Sequence, residues 1–199
     1  MRRGGRGTRT AALVTKRELR MMHARRSDAR DGRTLLRDAL LGAIAAPAAG
    51  WLMGKATSFL YERESKPARE REDAARGDEA AYGVAADKLA GIAGRELSDE
   101  QRQKSGRAIH WALAIGAGAA YGALRRRMPV LGGLGGVVFG TLFFVLVDEI
   151  GNVALGLTPG PREFPWQAHA RGLAGHLAFG VAEEAQLAAA DRLLSRAHA

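Results

Sequence analysis

Twenty consecutive residues without a charge, 128–147, constrain this chain more than any other feature. A helix of that length covers about 30 Å, the thickness of a bilayer's hydrocarbon core. Arg125, Arg126 and Arg127 stand before the run, and Asp148 and Glu149 end it. A second apolar stretch, 39–61, is interrupted only by Lys55, whose long stem lets its ammonium snorkel to water. Pro47 inside that stretch predicts a kink. Residues 108–124 form a third apolar stretch, and 168–190 a more polar, amphipathic one. Composition agrees with packed membrane helices: 26 of the 199 residues are Gly and only 6% are aromatic. The absence of Cys excludes disulfides, thiolate zinc sites and a cysteine nucleophile.

The expected fold is therefore all-α, an integral membrane four-helix bundle with a disordered basic N-terminal tail and a partly helical polar connector. Its crossings are 38–61, 108–124, 128–147 and 168–190. The tail is 1–37, the connector 62–107, a Pro/Gly loop 148–167 and a C-terminal tail 191–199. Between residues 1 and 37 twelve Lys and Arg face three acids, and Gly4, Gly5 and Gly7 among arginines predict disorder at its start. A short helix is expected from Thr15, which has capping-box spacing to Glu18. The same spacing from Ser98 to Gln101 predicts a helix start there, running on into 108–124. The arginine-rich flanks place both termini and the 125–127 hairpin in the cytoplasm.

Small residues recur every fourth position: Gly42, Gly50 and Gly54 with Ala46, then Gly118 and Gly122, then Gly132, Gly136 and Gly140. Such ridges let helix backbones approach closely where lipid removes the hydrophobic drive between helices. The cluster at 132–136 lacks the Lys-Ser/Thr of a phosphate loop, so helix packing is the reading adopted. An arginine-rich, acid-poor start also describes a mitochondrial transit peptide. Beside an apolar span, however, attraction to anionic lipid suits Arg25, Arg26, Arg30, Arg33, Arg37, Arg125, Arg126 and Arg127 better than sequence-specific nucleic acid binding.

Chemistry concentrates at one level. His169, His176 and Glu183 are seven apart, so they share one stripe of the last helix, beside Gly180. In a four-crossing bundle Asp148 and Glu149 end the third helix where His169 begins the fourth and His110 begins the second. The candidate polar cluster is His110, Asp148, Glu149, His169, His176 and Glu183. Interhelical hydrogen bonding with Arg171 or Lys55 as counter-charge, a protonatable site, and a metal site on His110, His169 and a carboxylate all remain open. No motif for catalysis or a cofactor is present.

From Tyr121 onward, the order Ala120-Tyr121-Gly122, Phe139-Gly140, Asp148-Glu149, Leu155-Gly156-Leu157-Thr158-Pro159, His169, Gly172-Leu173, His176-Leu177 and Gly180 resembles the YagU-like family of bacterial inner-membrane proteins. The resemblance covers about the last 80 residues and, loosely, 42–54. It implies an inner-membrane helical protein and supplies no catalytic residue. The expected function is a small polytopic membrane protein acting through helix association or a stress-linked proton or ion role. The alternative is an accessory subunit of a larger membrane complex. A lipid-modifying enzyme ranks third. Expected partners are the bilayer, anionic lipids, and a second copy or a larger complex.

Overall fold

The computed structural model describes residues 16–77 and 80–197, with the side chains among them of 32, 34–77 and 80–197. The described residues form helices joined by turns and short loops, with no strand. Helix α1 is Lys16–Tyr61, α2 Lys66–Arg76, α3 Ala81–Ile92 and α4 Asp99–Leu124. A 3-10 stretch, Pro129–Gly136, leads into α5 (Val137–Phe144), a wider π-helical turn (Val145–Gly151) and α6 (Asn152–Ala154). Helix α7, Trp166–Arg196, closes the chain. The chain divides into two compact units between Leu35 and Leu36, and the helical segments packed together belong to the larger, Leu36–Ala199.

Two helical segments are long and apolar enough to cross a membrane, Thr34–Tyr61 and Pro129–Ala154. The expected crossings 108–124 and 168–190 do not reach that standard. The first shares α4 with a charged opening turn, and the second carries Arg171, Glu183 and Glu184.

Four segments lie side by side with alternating direction. Gly42 of α1 meets Gly118 of α4, while Gly122 meets Asp38 and Gly50 meets Trp111, so these helices are antiparallel. Gly175 meets Met53 and Thr57, and the Gln186 amide donates to the Ala45 carbonyl, which sets α7 antiparallel to α1. Gly136, Gly140 and Phe144 face Gly180, His176 and Gly172 in turn, so α5 and α7 also run oppositely. At Gly42, Gly122, Gly136 and Gly140 a Cβ would penetrate the facing backbone. Only glycine lets these helices come so near.

Not every expected ridge residue does this. Gly54 has nothing near it, because Met53 and Thr57 take the side of α1 that faces α7. Gly132 lies in the 3-10 stretch, in ordinary contact range of the Tyr121 hydroxyl.

The connector is ordered by its own contacts. The Ser98 hydroxyl accepts from the Gln101 N–H while the Gln101 side chain accepts from the Ser98 N–H, so the expected capping box starts α4. Gly106 admits the backbone of Tyr82 and Gly83, and Arg102 donates to Asp87 at 2.5 Å, which holds α3 against α4. The Lys88 ammonium donates to the Leu155 carbonyl at 2.7 Å.

Three boundaries differ from the sequence reading. Within the expected tail the short helix anticipated from Thr15 is present from Lys16 but does not stop, running on into the first apolar segment; Leu19, Met22 and the seven arginines between 16 and 37 favour helix. Gly4, Gly5, Gly7 and Thr15 lie outside the described residues. The third segment does not start helically at 128, since Leu134, Gly135 and Gly136 adopt positive φ and Gly133 is extended. Nor does it end at Val147: the π turn carries Asp148 and Glu149 onward to Ala154, and the loop is correspondingly shorter.

Candidate functional site

The π turn shapes the site. Adjacent residues on a regular helix point about 100° apart, and a widened turn changes which of them can face one neighbour. Here both Asp148 and Glu149 engage α7. The His169 Nδ1 lies 2.6 Å from the Glu149 Oε1, and its Nε2 lies 2.9 Å from the Pro161 carbonyl oxygen. A carbonyl only accepts, so Nε2 bears hydrogen. The second bond then needs a proton on Nδ1 or on the carboxyl. This pair holds one proton more than neutral imidazole plus carboxylate.

Seven residues further along α7, the His176 Nδ1 donates to the Gly172 carbonyl at 2.9 Å, with the Asp148 Oδ2 at 3.7 Å from the same nitrogen. The His176 ring is buried edge-on to Phe143, with centroids 4.9 Å apart. With Nδ1 the donor, a neutral His176 leaves Nε2 as an acceptor. His110, from α4, packs its ring 5.1 Å from Tyr82 of α3. Burial, and then the facing Asp148 carboxylate, push the Tyr82 phenol up to about 12.

Five of the six expected cluster residues, His110, Asp148, Glu149, His169 and His176, line one cavity of about 360 Å³. Its floor is apolar, from Phe143, Phe144, Leu113 and Met53, and Tyr82, Glu72, Arg76 and Arg171 complete the polar wall. Glu183 does not join them. It lies one seven-residue step beyond His176, about 10.5 Å along the axis.

The proposed counter-charges are engaged elsewhere. Arg171 donates to Glu64 at 2.5 Å and to both oxygens of Glu72 at 2.5 and 2.6 Å, and it stacks over Tyr61. Arg76 also pairs with Glu72. These pairs tie α2 across the cavity to α7. The Lys55 ammonium lies over the Trp51 ring, 5.6 Å from its centroid.

Arginines expected at lipid also have protein partners. Arg125 pairs with Glu184 at 3.0 Å and with Asp191, and the Tyr121 hydroxyl donates to the same Glu184 at 2.5 Å. Arg126 bridges Asp191 at 2.5 Å and Asp38 at 3.3 Å, while Arg37 pairs with its neighbour Asp38. Arg127 donates to the Ala123 carbonyl. These pairs neutralise charge at the helix ends, with the Arg125 side chain 11% exposed and that of Arg126 42%. The side chains of Arg25, Arg26, Arg30 and Arg33 lie outside the described residues.

Sequence reasoning missed Tyr82, Glu64, Glu72 and the Tyr121–Glu184–Arg125–Asp191 network. The connector residues carry no periodic signal toward the cavity. Glu184 and Asp191 were legible in principle, being seven apart on α7 as His169 and His176 are. Among the described residues no group of three or more His, Cys, Asp or Glu side chains is arranged to hold a metal ion.

Comparison with protein families, with curated proteins and with solved structures finds no match for this chain.

Proposed function

We propose that this is a small multi-pass protein of a bacterial inner membrane, with both termini on the cytoplasmic side, that binds and passes protons through a chamber at one end of its bundle. The carrying observation is the Glu149–His169 pair, which holds an extra proton between two helices and beside the Asp148–His176 pair. Ionisable groups kept inside membrane segments commonly mark proton or ion paths.

Two further features support the membrane reading. Many large apolar side chains point outward, with Ile44 74% and Leu146 60% exposed, while Ala45, Ala46, Ala49 and Ala114 pack inside around Phe179. Only 28% of either apolar span is buried. A water-soluble bundle inverts that pattern. The Asp38–Arg126–Asp191 bridges support placing the first helix, the arginine hairpin and the C-terminal end on one side. The resemblance to the YagU-like family belongs to the same proposal.

The test is reconstitution into liposomes containing a trapped pH-sensitive dye. Wild-type protein is expected to speed proton entry over empty liposomes, and Glu149→Gln to reduce the excess rate at least about tenfold, the effect of losing one proton-transfer group. Entry equal to that of empty liposomes overturns the proposal. So does an unchanged rate in a correctly assembled variant. A subunit reading is favoured by Leu89 and Ile92, exposed on α3 outside both apolar spans. Co-migration with other polypeptides after detergent extraction supports it.

A further inference from the structure

Glu183 occupies an unusual place. It is 0% exposed, and neither carboxyl oxygen has a hydrogen-bond partner. Its Oε1 sits where α1 and α4 cross: a Cβ built on Gly118 would stand 2.9 Å from that oxygen and 2.7 Å from both the Gly42 carbonyl oxygen and the Ala46 Cβ. The missing side chain of Gly118 thus makes room for the carboxyl. Around it α1 brings Gly42 and Ala46, and α5 has no titratable side chain. Tyr121 of α4 and Arg125 at its C-terminal cap are both bonded to Glu184. On α7 itself the flanking ionisable groups are Glu184 and His176, the latter one step nearer the cavity.

A carboxylate enclosed by methyl groups and backbone, without a donor, is among the costliest arrangements a fold can hold. The same group carrying a proton is far cheaper. We propose that Glu183 is a reversible proton-binding site at mid-bundle, standing between the imidazole–carboxylate pairs at one end and the Glu184–Arg125–Asp191 network at the other. Binding adds one proton to one carboxylate oxygen and removes one negative charge. As a station on a path, the site rests on the proton role proposed above. As a binding site it stands alone.

The experiment is pH-difference infrared spectroscopy of the full-length protein in phosphatidylcholine vesicles, reading the carbonyl stretch of protonated carboxylic acids. One such band is expected to vanish reversibly as pH rises. It is lost in Glu183→Gln, kept in Asp148→Asn and shifted in frequency in Glu183→Asp. The proposal is overturned by a band that survives Glu183→Gln, by one that persists at every pH, or by one that sodium ions bleach at constant pH. Should Glu183→Gln fail to assemble, the comparison of Glu183→Asp with wild type decides, and an unshifted band overturns the assignment. A titrating band without liposomal proton flux sinks the path and leaves the site intact.

Discussion

Replacing Gly42 by Ala tests the helix crossing on which the interior depends. A Cβ at that position would lie 2.8 Å from the Gly118 carbonyl carbon and nearer still to its oxygen, whereas ordinary contact begins at 3.4 Å. The obstacle is backbone, which has no rotamer to escape into, so α1 and α4 must separate by about 1 Å or more to clear the oxygen. A clash with rigid backbone falls in the upper part of the usual overpacking range, about 2–3 kcal/mol. Alanine's better helix propensity returns up to about 1 kcal/mol, leaving a net loss of about 1–2 kcal/mol. Gly54→Ala is the internal control, since nothing lies within 4 Å of its Cβ position and only the propensity gain applies. Thermal unfolding in one detergent is the assay. At about 2–4 °C per kcal/mol, Gly42→Ala should lower the midpoint by about 2–8 °C, and Gly54→Ala should raise it by up to about 4 °C. Equal midpoints for the two variants would refute the close approach.

Removing Arg125 from this part-buried network leaves Glu184 with only the Tyr121 hydroxyl and Asp191 with only Arg126, so Arg125→Ala should cost about 1–3 kcal/mol. Denaturation of Arg125→Ala beside the double variant Arg125→Ala with Glu184→Gln checks this, the second change expected to recover part of the loss. Tyr82 gives a pH dependence. Its folded value, about 12, lies above the ordinary 10, so its contribution is fully present below pH 10. It is lost as pH rises toward 12, by up to about 2–3 kcal/mol, because the unfolded phenol ionises first. The difference in stability between wild type and Tyr82→Phe, measured from pH 9 to 12, should shrink in the variant's favour over that window. A constant difference removes the assignment.

Periodicity carried far in this chain. Spacing of 3.6 residues per turn put His169 and His176 on one stripe, and charge-free lengths located the apolar segments, because both signals are local and need no knowledge of the partner. The level shared by His110, Asp148, Glu149 and His169 was legible once the chain was taken to reverse direction at Arg125–127 and again at the Pro/Gly loop. What those groups bond to was not. Glu149 could equally have met Arg171, and only the packed helices show Arg171 drawn off by Glu64 and Glu72 of the connector. Likewise Gly42 and Gly54 are identical as letters in a four-residue repeat. Rotation of α1 against its neighbours, set by Met53 and Thr57 meeting Gly175, buries the first and leaves the second open.

Sequence by itself determined the all-helical class, the places of the apolar segments and the stripe of ionisable groups, since each follows from local geometry and the solvation of runs of like residues. Tertiary structure decided the start of the third segment, the pairing of each charge and the isolation of Glu183. Those depend on which atoms of distant segments come within a few ångströms, a quantity that no local pattern encodes.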